Sequence, residues 1–274
     1  MIKVVRETCI AGAVIDTVIK GTKDPERRQR KPKMNATPAA VQQNNDRIAV
    51  KRLAAMMNNN FVPGDYHITL TYADIPSREE AEKELRNFLR RMRREFEKQN
   101  KECKYIAVTE YEHTRIHHHV VISYIDTNVI NKQWKNGRVL YSALDRTRNY
   151  RKLAEYLVKE TRKTFRDPNN ATKRRFSSSK NLEKPITVRE RISITKLFAD
   201  PKAIKGYEID TTTIRRYESP ITGLEHLEYS MVSTEPVPRL KKWRSGEIVK
   251  RTESYRRFEE LRLFEFNNDE IEIL

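Results

Sequence analysis

The segment Arg115-Ile116-His117-His118-His119-Val120-Val121-Ile122-Ser123 places three consecutive histidines before a β-branched, apolar run. Such a run is typical of a buried or half-buried strand. Because side chains alternate between the faces of a strand, we expect His117 and His119 on one face and His118 on the other. Two imidazoles on one face can share a divalent ion. The pattern is also typical of a histidine cluster at a strand end or of a satisfied core histidine.

A second predicted strand, Lys104–Glu110, precedes the histidine segment by only a short turn. Strands so close in sequence usually pair antiparallel, so we expect Glu110 near His117. A carboxylate there would complete a site of two histidines and one acid, with open positions for water and a phosphate oxygen. This ligand set suits Mg²⁺ or Mn²⁺ better than structural zinc. A salt bridge with Arg115 is the alternative role for Glu110. Weaker candidates for the third ligand are Glu112 and His113.

The composition describes a basic protein. The 274 residues carry a formal net charge of +17, with 37% hydrophobic residues. The chain is long enough to bury a core, and its charge implies an anionic partner, nucleic acid before an acidic membrane surface. Two cysteines outside any CxxC pair fit a reducing cytoplasm and exclude a cysteine-rich zinc site. The most apolar N-terminal segment, Cys9–Ile19, is too short to span a membrane, so no transmembrane helix is predicted.

Hydrophobic periodicity predicts both strands and helices. The clearest helix begins at a capping box formed by Ser77 and Glu80. Its apolar residues recur every 3.6 positions, and its other face carries arginines that we interpret as mostly solvated. Residues 21–33 are predicted to form a basic linker, either a solvated tether or a phosphate contact. The other predicted elements are a hairpin of Lys3–Thr8 and Ala13–Lys20, helices over about 37–58, 128–134, 148–163 and 187–197, strands over 66–72 and 138–141, and short strands within 206–237.

The predicted helix over residues 148–163 carries a candidate nucleophile. Tyr156 and Lys159 are three positions apart and therefore lie on one face of this helix. A tyrosine in such a position is usually half-buried packing, but it can also attack a phosphate and form a covalent phosphotyrosine. Lys159 would favour the phenolate or hold a phosphate oxygen. Tyr150 is the next candidate nucleophile.

The chain becomes basic and polar beyond residue 164. Residues 173–181 mix cations, hydroxyls and one phenylalanine, a composition suited either to holding a single strand of nucleic acid or to a surface loop. The sequence contains no P-loop and no glycine-rich nucleotide fingerprint, so ATP use is not supported. The residues that we predict to contact DNA are Arg115, Lys173, Arg174, Arg175, Lys180 and Asn181.

Three motifs, in this order, resemble those of the HUH endonucleases, the rolling-circle replication initiators. Ile68-Thr69-Leu70-Thr71-Tyr72 is similar to the first motif, an apolar and threonine-rich strand. Glu110-Tyr111 followed by Arg115-Ile116-His117-His118-His119 is similar to the metal motif, and Ala154-Glu155-Tyr156-Leu157-Val158-Lys159 to the nucleophile motif. The chain resembles most the replication-associated proteins of bacterial mobile elements and small single-stranded DNA phages. The resemblance extends from about residue 60 to residue 185.

The resemblance implies an α+β fold, with a central antiparallel sheet, the histidine strand in its middle and helices packed on it. It implies metal-dependent nicking of single-stranded or extruded origin DNA, with Tyr156 attached to the 5′ phosphate and a free 3′ hydroxyl left as primer. Glu110, His117 and His119 would bind Mg²⁺ or Mn²⁺, and Lys159 would assist Tyr156.

The same resemblance suggests the organisation of the chain and its partners. We expect a hairpin, linker and helix over residues 1–60, an endonuclease core over 61–190 and a C-terminal extension over 191–274. The partners would be single-stranded or hairpin origin DNA, in the cytoplasm of a bacterial cell. No helicase domain is visible in the sequence, so a host helicase would unwind the duplex and a host polymerase would extend the primer.

One departure from the family concerns the number of nucleophiles. Two-tyrosine members carry tyrosines one helical turn apart, whereas the positions four residues from Tyr156 are Lys152 and Glu160. We therefore expect a single nucleophile, because Tyr150 would point to a different side of the helix. Two alternatives are a transposase or relaxase of the same superfamily and a non-catalytic nucleic-acid-binding protein with a structural metal. Relaxases often place the tyrosine before the histidines, which favours an initiator here.

Overall fold

The computed structural model describes residues 3–22, 39–111, 115–162, 175–218 and 223–234. In these ranges the chain forms two antiparallel sheets and five helices, which confirms the predicted α+β class. The strands are β1 (Lys3–Ala11), β2 (Val14–Thr22), β3 (Tyr66–Leu70), β4 (Tyr105–Glu110), β5 (His117–Ile122), β6 (Val139–Ala143), β7 (Ser177–Ser178), β8 (Ile186–Ile192), β9 (Tyr207–Glu218) and β10 (Glu225–Ser233). The helices are α1 (Ala39–Asn60), α2 (Arg78–Lys98), α3 (Thr127–Gln133), α4 (Arg151–Glu160) and α5 (Thr195–Phe198).

The chain divides into two units, each with its own sheet. One lies within Met1–Asn45 and Lys184–Leu274, and the other is Asp46–Glu183. The dividing points therefore fall inside α1 and just before β8. Of the boundaries predicted from sequence, residue 60 is the last residue of α1 and residue 190 lies inside β8.

The sheet of the unit Asp46–Glu183 has the strand order β6-β3-β5-β4-β7, with every neighbouring pair antiparallel. The histidine strand β5 thus lies in the middle, as expected. Thr69 of β3 pairs with His119, and Glu110 of β4 pairs with His117. Cross-strand partners point to the same face of a sheet. The register therefore brings Thr69, Glu110 and both outer histidines to one face.

Helix α2 covers the opposite face of this sheet. It begins at Ser77, whose hydroxyl accepts a hydrogen bond from the Glu80 backbone amide while the Glu80 carboxylate accepts one from the Ser77 amide. This is the predicted capping box. The apolar side chains of α2 pack on Ile68, Val120 and Ile122 of the sheet. The buried residues of α2 are the six predicted from their spacing, Ala81, Leu85, Phe88, Leu89, Met92 and Phe96.

Helices α1 and α4 pack on the face that carries the two outer histidines. Leu53 and Met57 of α1 and Leu157 of α4 belong to one buried cluster with Val108 and Val121 of the sheet. Helix α4 begins at Arg151, three residues later than predicted. Arg148 has a φ of 56°, a left-handed conformation that cannot start a right-handed helix.

The sheet of the other unit has the strand order β8-β1-β2-β10-β9. Its β1–β2 hairpin confirms the prediction from the two β-branched runs, and the turn uses Gly12 at a φ of 59°. Helix 187–197 was predicted wrongly: residues 186–192 form β8, which pairs with β1 over Val4–Ile10, and only Thr195–Phe198 is helical. Exposure alternates along β8, as expected for a strand with one buried face.

Several expectations lie outside the described residues. These are the basic linker beyond residue 22, the helix start at Thr37-Pro38 and the C-terminal tail. The short strands predicted within 206–237 are two long ones, β9 and β10, in the described part of that range. None of the helices in the described ranges has the length and apolar character needed to cross a membrane.

Candidate active site

The candidate site lies on the α1–α4 face of the sheet around His119. This side chain is almost fully buried, at 3% exposure, and both of its ring nitrogens have neighbours. Nε2 lies 3.3 Å from Oε2 of Glu110. Nδ1 lies 3.1 Å from the Thr69 hydroxyl and 3.3 Å from Nε2 of His67. His119 therefore connects strands β3 and β4 across the middle of the site.

Burial keeps the histidines of this face neutral. It lowers the pKa of His119 to about 4, with the neighbouring His117 acting in the same direction. Burial also lowers the pKa of His67 to about 4, again with help from a neighbouring imidazole, His119. A neutral imidazole has a free lone pair on one ring nitrogen, which is the form that binds a metal. The donors of this site are thus in the state that a divalent ion requires.

Tyr156 stands next to these rings. Its side chain is 41% exposed, and its ring centroid lies 5.4 Å from that of His119 and 6.2 Å from that of His67, edge-on to both. Partial burial and the negative charges of Glu160 and Glu110 raise the pKa of the Tyr156 phenol. Helix α4 holds the tyrosine through its buried Leu157 on the adjacent face. The structure therefore brings the predicted nucleophile to the predicted metal ligands.

Tyr150, the other candidate nucleophile, occupies a different environment. It is the residue before the first turn of α4 and is only 3% exposed, within the core cluster of Leu53, Leu157 and Val121. A phosphate would have to enter the hydrophobic core to reach its hydroxyl. This location favours Tyr156.

Two carboxyl groups meet at the edge of the site. Glu160, one helical turn after Tyr156, is close enough to Glu110 for a hydrogen bond. Burial, followed by the charge of Glu110 and this hydrogen bond, raises the pKa of Glu160. A carboxyl group that keeps its proton can donate it in a hydrogen bond to Glu110. Glu110 therefore contacts His119 and Glu160, rather than the exposed Arg115 that the sequence offered as its alternative partner.

His118 points to the other face of the sheet and takes no part in this group. Its imidazole is fully buried, and burial lowers its pKa to about 3. Nε2 lies 2.8 Å from the Tyr72 hydroxyl, and Nδ1 lies 2.9 Å from the Thr109 hydroxyl. This is the satisfied core histidine that the sequence pattern allowed, and it occupies one of the three positions.

The donors Glu110, His117 and His119 fit a divalent ion in their chemistry. Two ligand atoms about 2.1 Å from one ion, at right angles, are about 3 Å apart. The 3.3 Å between His119 Nε2 and Glu110 Oε2 is close to that spacing. His117 is half-buried on the same face, directly across from Glu110 in the register. In the described part of the chain, no three His, Cys, Asp or Glu side chains already have the geometry of a metal site, so His117 would have to turn towards the pair.

The remaining predicted residues are distributed more widely. Lys159 is exposed, and its charge lowers the pKa of Glu160, where it opposes the larger effects that raise it. Arg175 forms an ion pair with the buried Asp46, to which Arg162 also binds at 3.0 Å. Arg175 is thus held within the fold. Lys173 and Arg174, like Glu112 and His113, lie outside the described residues.

Lys180 and Asn181 are exposed but lie at the far end of β4 from the site. They follow Ser179, whose amide donates to the Tyr105 carbonyl, whereas Glu110 is the last residue of that strand. At about 3.3 Å per residue, the two ends of β4 are roughly 17 Å apart. The structure therefore does not bring these two residues together with Tyr156.

Sequence reasoning missed His67 and gave no role to Glu160. Both lie within contact distance of residues that it did select. His67 is two positions before Thr69 and so shares its face of β3, a signal that becomes readable only once β3 is known to pair with β5. Glu160 is one helical turn after Tyr156, a spacing that the sequence does show.

The family comparison matches this region of the chain. Residues 65–165 match the model of a family described as replication-associated protein ORF2. The matched range contains β3, β4, β5 and α4, and hence every residue of the group around His119. The match supports a role in replication initiation. The comparisons with curated proteins and with solved structures give no match.

Proposed function

We propose that this chain is a replication initiator that nicks single-stranded origin DNA by attack of Tyr156 on a phosphodiester. The observation that carries the proposal is the contact of the Tyr156 ring with His119, whose Nε2 also faces Glu110. A partly exposed phenol is thereby held next to two groups that suit a divalent ion. The match to the replication-associated family favours this role over that of a transposase or relaxase.

The reaction is an exchange of one phosphate ester for another and needs no ATP. The Tyr156 oxygen forms a bond to phosphorus as the bond from phosphorus to the 3′ oxygen breaks. The phenol loses its proton, and the leaving 3′ oxygen gains one. The products are a 5′-phosphotyrosine and a free 3′ hydroxyl, which a polymerase can extend. The ester linkage keeps the strand available for later rejoining.

The residues of the site would divide the work. Glu110, His117 and His119 would hold Mg²⁺ or Mn²⁺, which when bound supplies positive charge beside the scissile phosphate. His119 also packs against the Tyr156 ring and so limits its orientation. Lys159, exposed on the same helix, is available to a phosphate oxygen of the bound strand.

The net charge of +17 supports DNA as the partner, because cations that neutralise phosphates release counterions and strengthen binding. Arg115, Lys180 and Asn181 are exposed and remain candidates for contacts along the strand. We propose a host helicase and polymerase as further partners, since the reaction supplies a primer but does not unwind DNA.

The test is a denaturing-gel assay with end-labelled single-stranded DNA from the element's own origin, in Mn²⁺ or Mg²⁺. Wild type is run beside Tyr156→Phe and His119→Ala. Tyr124→Phe is a matched control, because Tyr124 is 50% exposed and lies beyond the other end of β5 from His117. We expect a covalent protein–DNA band in wild type and in the control, and none in the other two variants.

Two results would contradict the proposal. Cleavage that survives Tyr156→Phe would place the nucleophile elsewhere. Tight binding of every origin-spanning strand, with no cleavage of any, would favour the non-catalytic nucleic-acid-binding protein.

A further inference from the structure

His67 contacts both His119 and Tyr156 from the neighbouring strand β3. Its Nε2 lies 3.3 Å from His119 Nδ1, and the two rings stack at 5.4 Å with 26° between their planes. Its ring also meets the Tyr156 ring edge-on at 6.2 Å. No motif in the sequence singled out this residue.

The contacts of His119 assign its two nitrogens to different tasks. Nε2 faces Glu110, on the side where an ion would bind, and must present a lone pair to it. The ring proton must then be on Nδ1, which faces Thr69 and His67. A metal-binding histidine usually donates this second N–H to a fixed acceptor, which sets its tautomer and orientation.

Two acceptors are available to the His119 Nδ1–H, and they are not equivalent. The Thr69 hydroxyl rotates freely and can donate or accept, so it accommodates either tautomer of His119. The His67 ring is held by stacking and by the Tyr156 contact, so its Nε2 has one direction. A lone pair on that nitrogen accepts from His119 Nδ1–H and leaves His119 Nε2 free for the ion.

We propose that His67 is a positioning residue, which sets the tautomer of His119 for metal binding and holds the Tyr156 ring beside it. The inference rests on the proposed function, since it concerns the same site. His67 touches neither the ion nor the phosphate. It acts through the ligand on one side and the nucleophile on the other, and so couples the two.

Three variants separate the parts of this role. His67→Phe keeps a ring against Tyr156 but removes the acceptor, and His67→Gln restores an amide that can accept. His226→Phe is the matched control, because His226 also packs against a tyrosine ring, that of Tyr217 at 5.2 Å, in the other unit. Calorimetric titration of the full chain with Mn²⁺ measures the affinity, and urea unfolding of each variant measures stability.

We expect His67→Phe to weaken Mn²⁺ binding by about tenfold to a hundredfold, as loss of a partner of a metal-binding histidine typically does. His67→Gln should recover part of that loss, and His226→Phe should bind as wild type does. Equal affinity in His67→Phe and wild type would overturn the inference, while nicking that depends on Tyr156 would leave the proposed function intact. A wild type that binds no Mn²⁺ and does not nick would contradict the proposed function itself.

A measurement on the wild type keeps the inference testable if His67→Phe does not fold. Nitrogen-15 spectra of the histidine rings report which nitrogen carries the proton. With saturating Mg²⁺, we expect the proton of His119 on Nδ1 and the lone pair of His67 on Nε2. A His67 that keeps its proton on Nε2 under these conditions would overturn the inference.

Discussion

Replacing His118 by alanine tests whether the middle histidine serves the core rather than the chemistry. Its imidazole is fully buried and bonds to the hydroxyls of Tyr72 and Thr109 at 2.8 and 2.9 Å. Its ring also meets that of Trp134 edge-on at 6.1 Å. These contacts lie on the face of the sheet that α2 covers, away from His119 and Tyr156.

The structure allows the loss of stability to be worked out. Each of the two hydrogen bonds contributes about 1 kcal/mol net, and truncating a buried side chain of this size costs about 2–3 kcal/mol in packing and cavity formation. The Tyr72 hydroxyl keeps the Ala81 carbonyl as an acceptor at 3.3 Å, so its loss is not compounded. The free energy of unfolding should fall by roughly 3–5 kcal/mol, with a melting temperature about 10 °C lower.

The assay is urea unfolding followed by tryptophan fluorescence. The chain has two tryptophans, so a Trp243→Phe background leaves Trp134, which contacts His118, as the reporter. His117→Ala is the matched control. It removes a half-buried imidazole on the opposite face and should cost under about 1 kcal/mol, while weakening Mn²⁺ binding. A midpoint for His118→Ala equal to that of wild type, or a larger loss for His117→Ala, would refute the assignment of the two faces.

Three further predictions concern the cap, the thiol and the metal. Ser77→Ala should lower the free energy of unfolding by about 1 kcal/mol in urea, whereas Glu80→Gln, which keeps the capping box, should leave it nearly unchanged. Burial raises the pKa of Cys103 to about 12, so iodoacetamide at pH 8 should label it far more slowly in the native chain than in urea; equal rates by mass spectrometry would contradict this burial. Because the thiol ionises near pH 9 when unfolded, its contribution to stability should be complete below pH 9 and lost between pH 9 and 12. Removing divalent ions with EDTA should abolish nicking but preserve binding of single-stranded DNA in fluorescence anisotropy; loss of both would indicate a structural metal.

The parts of the fold that could be predicted from sequence are those with local signals. Helix α2 carries its start in Ser77 and Glu80 and its buried face in a regular apolar spacing, and both agree with the structure. The alternation of side chains along β5 predicted which histidines share a face. A short connection was enough to pair β4 with β5, and hence Glu110 with His117.

The parts that could not be predicted depend on pairings distant in sequence. Residues 186–192 were predicted as a helix because their partner, β1, is about 180 residues away and leaves no local mark. His67 joins the site only through the register of β3 on β5, which sets Thr69 opposite His119. Arg175 looked like a free cation, yet it pairs with Asp46 in α1, far earlier in the chain.

The triple histidine shows how the core and the chemistry depend on each other within one strand. A shift of β5 by one residue would turn His117 and His119 into the core and His118 into the site. Hydrogen bonds of His118 to Tyr72 and Thr109, on two different neighbours of β5, oppose that shift. An apolar residue in place of His118 would fill the core equally well but would supply neither bond. The middle histidine therefore contributes to the site without touching it, because it keeps its two neighbours facing Tyr156.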